Sequence, residues 1–472
     1  MRRLSPGIVL GLAAVALLGA QPRPSGDAEF TTAESAIRAG MQKAGIPGAA
    51  VAVVVGDRVV WTKGFGVANA DTQSPVTPDT LFQIGSVTKS FTAAALLTAA
   101  SEGRLALDRP VSTYVKGLAP CVGAPTLSQL LSHTGGLIDE PDEYGPQGEE
   151  GLGAYPRTWT GEYCMLPPGR AFSYSNAGYA LAGLALQDVD GRPFADVMRA
   201  RVLAPLGMTR TTFRPTEAMT WPLAVGHRTN KDGAFEVVRP LANDARLWPA
   251  GTLYSSANEM ARFVVALMND GRVDGKPVLS AGVAAKMREV SIEIPTTGER
   301  YGQGQFLPYD GAGHGGTMTG YVATYGIDPR NRIGTVVLTN GDGADPSGLQ
   351  REARNAGLEV LIRAGSAMSG TTPPGAGGVT PPPLAESQAE WHVGRYSNPR
   401  RFTVDVVRNG TALTLRRFGR DSPMTYVGPG RFTVALPRGG TETIAFGYGR
   451  DGRADYLQMN VWALARVPDP KP

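Results

Sequence analysis

The two stretches of this chain that read most clearly as β-structure lie far apart. Residues 49–55 and 58–63 are β-rich runs on either side of Gly56-Asp57, a two-residue hairpin signal. Residues 321–327 and 333–339 form a second such pair, joined through Asp328-Pro329-Arg330-Asn331. From about Gly103 to Gly271 the chain reads mostly as helices and long loops. Strands that bracket a helical middle imply one sheet assembled from distant segments, with helices packed on it and an inserted α-rich lobe. A cleft between sheet and lobe is then the natural substrate site. Helices are expected over residues 31–44, capped by Thr or Ser and ended by Gly45 and Pro47, and over about 348–363. A further helix starts at Ser256-Ala257-Asn258-Glu259, which fits a capping box.

A second unit follows. Residues 365–387 are dense in Pro, Gly, Thr and Ser, including Pro373-Pro374 and Pro381-Pro382-Pro383, and read as a semi-extended linker. Beyond it, short β-rich segments alternate with turn signals at Asn409-Gly410, Gly428-Pro429-Gly430, Gly439-Gly440 and Asp451-Gly452. That pattern implies a small antiparallel barrel or sandwich. The expected organisation is therefore a leader over 1–20, a main α+β unit over 28–364, the linker, and an all-β unit over 388–468.

The leader reading rests on Arg2 and Arg3 ahead of a short apolar run over 8–20, with Gly19-Ala20 as small residues for cleavage. It implies an exported protein, periplasmic or extracellular. The run falls short of the roughly 20 apolar residues of a membrane span, so no stable span is expected after cleavage. The net charge is +4, and the 1–20 segment takes two arginines with it to leave +2. With no Lys/Arg-dense run carrying interleaved aromatics, nothing points to nucleic acid. Cys121 and Cys164 either pair in an oxidising compartment or sit as two separate small core residues. His133, His227, His314 and His392 show no metal-ligand spacing, and no cofactor is expected.

Chemistry enters at Ser86-Val87-Thr88-Lys89, which follows Gly85 and opens an Ala/Leu-rich helix running to about Glu102. Residues at i and i+3 share a helix face, so Lys89 can reach the Ser86 hydroxyl. A serine needs a neighbouring base at neutral pH, and a buried lysine can have its pKa lowered enough to serve. The unpaired N–H groups of the helix start are suited to a developing oxyanion. Two more motifs fit such a nucleophile. Tyr174-Ser175-Asn176 offers a phenol that an adjacent ammonium makes easier to deprotonate, and an amide to hold Lys89 and substrate. His314-Gly315-Gly316-Thr317 precedes the returning strands, where glycines let a substrate backbone approach closely. A second Tyr-Ser-Asn at 396–398 lies past the linker and reads as a strand-edge turn.

In this order and spacing the three motifs resemble the serine β-lactamase and penicillin-binding-protein superfamily, whose signatures are Ser-x-x-Lys, Ser-x-Asn or Tyr-x-Asn, and a Lys-Thr-Gly-like strand. The Tyr-x-Asn form is similar to the branch of class C β-lactamases, D-alanyl-D-alanine peptidases, and their esterase and D-aminopeptidase relatives. Residues 130–137, 205–208 and 249–252 also look like this branch. The resemblance covers roughly residues 33–364. It implies a β-lactamase/transpeptidase-like antiparallel sheet flanked by helices. It also implies Ser86 as acyl-enzyme nucleophile, Lys89 as its base or the tuner of its base, and Tyr174 as proton relay. Asn176 would orient Lys89 and substrate, and His314 would occupy the cationic strand position. Gly316 would allow close approach there, and the N–H groups of Ser86 and Thr317 would form the oxyanion hole. His133 matches a stretch that looks structural.

The third motif departs from the β-lactamase pattern, since His314-Gly315 replaces Lys-Thr. A histidine is mostly neutral at pH 7 and glycine lacks the hydroxyl, so a substrate carboxylate is held less well. That favours esters or small D-configured peptides and amides over β-lactams, with D-alanyl-D-alanine carboxypeptidase and β-lactamase activity as alternatives. The expected partner is a small molecule or short peptide, cell-wall fragments among them. The tail resembles lipocalin-like barrels appended to some of these hydrolases and is expected either to cover or extend the site or to serve as an attachment module. A reading of another class is a penicillin- or peptidoglycan-binding sensor that acylates without turnover.

Overall fold

A computed structural model describes residues 30–140, 142–308, 311–364, 384–437 and 439–468, the side chain of Ser387 excepted. The expected leader and most of the expected linker lie outside the described residues. The sheet is assembled from the two distant segments as expected. Its nine antiparallel strands run in the order Ile292–Glu293, Arg300–Tyr301, Phe306–Leu307, Ala312–Met318, Tyr321–Asp328, Ile333–Thr339, Gly48–Val55, Arg58–Asn69, Ser74–Pro75. The join is Gly48–Val55 against Ile333–Thr339, with Ala49 opposite Thr339 and Val55 opposite Ile333.

Both faces of that central strand are buried, which is why it is apolar at nearly every position. Ala49, Val51 and Val53 pack with Ile37 and Met41 of the helix Thr31–Ala44 and with Leu349 and Ala353 of the helix Ser347–Arg363. Ala50, Ala52 and Val54 face the other way, into the core shared with Phe91 and Phe263. There the helix Thr88–Ser101 is buried almost all round, and the Phe91 and Phe263 rings stack at 3.9 Å. Truncating such a ring costs about 3–5 kcal/mol, so the helix behind Ser86 is a rigid support.

Two expected caps differ in detail. Thr31–Ala44 starts at Phe30 with no side-chain cap, because the Phe30 ring stacks on Trp61 at 5.0 Å and fixes the entry of the chain. At the helix Ala257–Met268, Ser256 Oγ accepts the Glu259 N–H, yet the carboxylate of Glu259 does not reach back. It accepts the Arg210 and Thr211 N–H groups at 3.0 and 2.8 Å, so tertiary donors outcompete the local one.

The segment between the two strand pairs forms the helical lobe, with only short strand pieces. Its longest helix before Ala257 is Asn176–Asp190, ended by Gly191 at φ 77°. Cys121 and Cys164 are paired, with Cα atoms 6.2 Å apart. The tail is a closed barrel of eight antiparallel strands between Gly394 and Arg466, the first pairing the last through Tyr396 opposite Arg466. Tyr396, Val406, Leu415, Phe432, Ile444 and Leu457 fill it. The 396–398 Tyr-Ser-Asn belongs to its first strand, with Tyr396 and Asn398 buried. Two barrel turns, 399–401 and 460–461, abut the main unit at the cleft between sheet and lobe.

Candidate active site

Ser86 sits in a single 3₁₀ turn, Gly85–Val87, that runs straight into the helix Thr88–Ser101. Gly85 adopts φ 52°, which favours glycine, and a Cβ there would stand 2.5 Å from the Thr317 nitrogen. Gly316 has the same role on the facing strand Ala312–Met318. A Cβ on it would stand 2.0 Å from the Ile84 carbonyl oxygen and 2.7 Å from the Ser86 nitrogen. Two glycines thus bring the helix start and the strand into backbone contact, with the Ser86 and Thr317 nitrogens on the two sides of the contact.

Lys89 is fully buried, one helical turn from Ser86. Its ammonium nitrogen donates to Ser86 Oγ at 3.0 Å, to Asn176 Oδ1 at 2.7 Å and to the Ala250 carbonyl at 2.7 Å. Burial pulls the lysine down from its usual range to about 7, against the field of Asp139, which acts upward. An amine that is half neutral near pH 7, and in contact with a serine hydroxyl, is suited to accept its proton.

Tyr174, Ser175 and Asn176 are arranged by a helix start. Ser175 is extended and its Oγ caps the helix Asn176–Asp190 by accepting the Gly178 N–H at 3.0 Å. The flanking side chains then both reach the cleft. The Tyr174 phenol interacts with Ser86, and its ring lies 4.8 Å from the Lys89 nitrogen. Burial raises the Tyr174 phenol above the usual tyrosine range, the opposite of the easier deprotonation expected from a neighbouring ammonium. Desolvation of a phenolate, assisted by the field of Asp139, outweighs the downward effects of the Ser86 contact and of Arg401. In the free protein Lys89 is thus available in part as a neutral amine, while Tyr174 keeps its proton.

His133 stacks on Tyr174 with ring centroids 4.1 Å apart, and its Nδ1 accepts the Ser175 N–H at 3.0 Å. Burial holds it well below the ordinary histidine range. Its contacts are thus with Tyr174 and the Ser175 backbone.

His314 lines the cleft as a buried, neutral ring. Its Nδ1 lies 2.5 Å from the Gly315 carbonyl, which requires Nδ1 to donate, and Nε2 then accepts the Tyr301 hydroxyl at 3.1 Å. Burial, assisted by the field of Lys89, pushes it down to about 3. Both ring nitrogens are occupied, and the strand position that carries a cation in the lysine form of the motif carries none here. Thr317 is exposed into the cleft beside it.

The cleft measures about 710 Å³ and is lined by Ser86, Tyr174, Asn176, His314, Gly316 and Thr317. All the expected site residues but Lys89 reach this wall, and Lys89 lies directly beneath Ser86. Residues that motif reading did not single out complete the wall. Arg401 and Val461 come from the two barrel turns, Trp462 from the strand that follows the second, and Asp142 and Glu143 from the lobe. Among the described residues no group of His, Cys, Asp and Glu is placed to hold a metal, and no helix is long and apolar enough to cross a membrane.

The beta-lactamase family profile matches residues 33–358, which is more than half of the chain. The chain belongs to the beta-lactamase family. Penicillin-binding protein 4 of Amycolatopsis lactamdurans is 31% identical to it over 314 residues, covering 63% of this chain and 81% of that protein. Protein flp of Staphylococcus aureus (strain COL) is 29% identical over 312 residues. That match takes in 64% of this chain and 61% of flp, so the beta-lactamase-family chain spans about three-fifths of that relative. Among solved structures, SurE superposes with a TM-score of 0.73 at 25% identity, over 93% of this chain and 99% of SurE. The beta-lactamase-family unit and the barrel are thus both included in that likeness, and the family to which the chain belongs is one of serine hydrolases.

Proposed function

We propose that this chain is an exported serine hydrolase that cleaves an ester, an amide or a small D-configured peptide bond through an acyl-enzyme on Ser86. The observation that carries the reading is the buried Lys89 nitrogen 3.0 Å from Ser86 Oγ, with its pKa drawn down to about 7. In the proposed reaction neutral Lys89 takes the Ser86 proton as Oγ attacks the substrate carbonyl carbon. The oxygen that gains charge accepts hydrogen bonds from the Ser86 and Thr317 N–H groups. Tyr174, protonated and beside Ser86, passes a proton to the leaving group as the carbonyl–leaving-group bond breaks, and Lys89 restores it. Water then attacks the ester carbonyl, gives its proton to the same basic group, and Ser86 leaves as the hydroxyl.

His314 supports the choice of bond. With no cation on that strand, a substrate carboxylate has no partner there of the kind a lysine provides, which favours esters and uncharged amides over β-lactams. The relatives' names, penicillin-binding protein among them, keep D-alanyl-D-alanine carboxypeptidase and β-lactamase activity as the alternatives.

The test is covalent labelling of the purified chain with a fluorophosphonate, read by intact mass. One adduct is expected on wild type and none on Ser86→Ala, and labelling that persists in the variant overturns the assignment. A turnover panel of short-chain nitrophenyl esters, D-amino-acid amides, a D-Ala-D-Ala peptide and a chromogenic cephalosporin then ranks the substrates. A stable adduct with no product release would favour the sensor reading.

A further inference from the structure

The barrel does more than sit beside the cleft, because one of its turns and the start of its last strand end on a buried carboxylate of the main unit. Asp139 is fully buried. Its Oδ1 accepts the Asn176 N–H at 2.9 Å, at the first residue of the helix Asn176–Asp190. Its Oδ2 accepts Arg401 Nε at 2.9 Å and Trp462 Nε1 at 3.3 Å, and Arg401 Nη2 bonds the same oxygen. Asn176 in turn accepts from Lys89. A chain of contacts therefore runs from the barrel to the lysine: Arg401, Asp139, Asn176, Lys89. Beside it the Val461 carbonyl, from the other turn, accepts the Tyr174 N–H at 2.8 Å. Arg401 and Trp462 also line the cleft itself.

We propose that Arg401 is a positioning residue of the hydrolase site, which acts from the barrel by compensating the buried Asp139 and so holding Asn176 and Lys89 in their working state. This rests on Ser86 and Lys89 being the reacting pair.

The physical argument is one of charge as well as geometry. A carboxylate buried without a counter-charge is strongly unfavourable, and a guanidinium on the same oxygen offsets that cost. The groups facing Lys89 are Ser86 on its own turn, Tyr174 and Tyr179, His133, His314 and Asn176, with Asp139 and Arg401 behind Asn176. Both histidines are held neutral and both tyrosines are held protonated by burial. That leaves Asp139 and Arg401 as the two charges acting on Lys89, in opposite senses. The neighbouring pair, Arg400 on Glu140 at 2.6 Å, anchors the same turn; Arg400 also donates to the Tyr163 hydroxyl at 2.9 Å. Losing Arg401 would leave Asp139 to stabilise protonated Lys89, so the site would need a higher pH to work.

The experiment measures the pH dependence of fluorophosphonate labelling on the full chain for wild type, Arg401→Met, Arg401→Lys, Asp139→Asn and the double variant Arg401→Met/Asp139→Asn. Arg401→Met should move the acid midpoint up by about half to one pH unit, a roughly two- to fivefold loss at pH 7 recovered at higher pH. Asp139→Asn should move it down, the double variant should return towards wild type, and Arg401→Lys should restore most of the loss. A merely structural role would lower the rate without moving the midpoint, and that result overturns the proposal. Should Arg401→Met not fold, Asp139→Asn decides alone, an unmoved midpoint being the overturning result. If wild type labels elsewhere than Ser86 or not at all, the proposed function fails along with it. If wild type labels on Ser86 and the midpoints stay fixed, only the role of Arg401 fails.

Discussion

Gly316 passes so close to Ser86 that a methyl group on its Cα would stand 2.7 Å from the Ser86 nitrogen, and closer still to the carbonyl of Ile84. The strand and the helix start are held together by the absence of a side chain. Gly316→Ala must push them apart, misplacing the Thr317 N–H relative to that of Ser86. The expected loss in kcat is about a hundredfold or more, the scale of removing an oxyanion-hole donor. At Gly315 a Cβ meets nothing nearer than the Ala323 carbonyl at 4.0 Å, so Gly315→Ala should cost far less. Equal losses in the two variants, measured on the same ester, would refute this account of the contact.

The role proposed for Lys89 predicts a pH dependence with a definite sign. Its pKa lies at about 7, so the neutral amine predominates above that pH and disappears below it. The rate should rise through a single step near pH 7 to a plateau, and fall about tenfold per unit on the acid side. Tyr174 is raised above the usual tyrosine range, so no alkaline loss from its ionisation is expected up to about pH 10. Lys89→Arg, which cannot be neutral, should remain inactive across the whole range.

His314 should leave no trace in that profile. It is already neutral above about pH 4, since burial holds it at about 3. A neutral ring exerts no net charge on Lys89, so His314→Gln should lower the rate while keeping the midpoint within about a quarter of a unit. A midpoint that moves further would mean that the imidazole is charged in the working protein. Side-by-side pH–rate curves for the two proteins decide it.

Reduction of the Cys121–Cys164 bond should weaken the lobe more than the chemistry. The bond spans 43 residues, a loop for which the chain-entropy model gives about 4 kcal/mol of stabilisation. Cys164 pairs through its backbone with Leu137, two residues before Asp139, yet neither cysteine lines the cleft. Thermal melts with and without a thiol reductant should differ by several degrees, whereas the rate at 25 °C should change less than about threefold.

Local pattern carried a good deal of this protein. Hairpin signals, β-rich runs and Gly/Pro stops located the two central strand pairs of the sheet and the helices near 31–44, 86–102, 256 and 348–363, because backbone geometry within a few residues decides those elements. The short edge strands and the helix Asn176–Asp190 were not singled out. The one-turn spacing of Ser86 and Lys89 is likewise local, and Ser175 as a cap explains why Tyr174 and Asn176 flank a helix start. Whether Cys121 and Cys164 meet was open in the sequence, since their separation in space depends on how the lobe folds. The capping box at Ser256 looked local and was not, because the carboxylate of Glu259 found better donors at Arg210 and Thr211.

What the sequence determined by itself was therefore the central strand pairs, several of the long helices and the three motifs of the cleft. Charge states and the role of the tail were decided only by tertiary structure. Burial, which no spacing encodes, brings Lys89 to about 7, keeps His314 neutral and keeps Tyr174 protonated. Arg401 and Trp462 meet Asp139 from positions 262 and 323 residues away. In the sequence they are an arginine in a turn and a tryptophan at a strand start. Only the seating of the closed barrel on the lobe turns them into partners of a buried carboxylate that reaches Lys89 through Asn176.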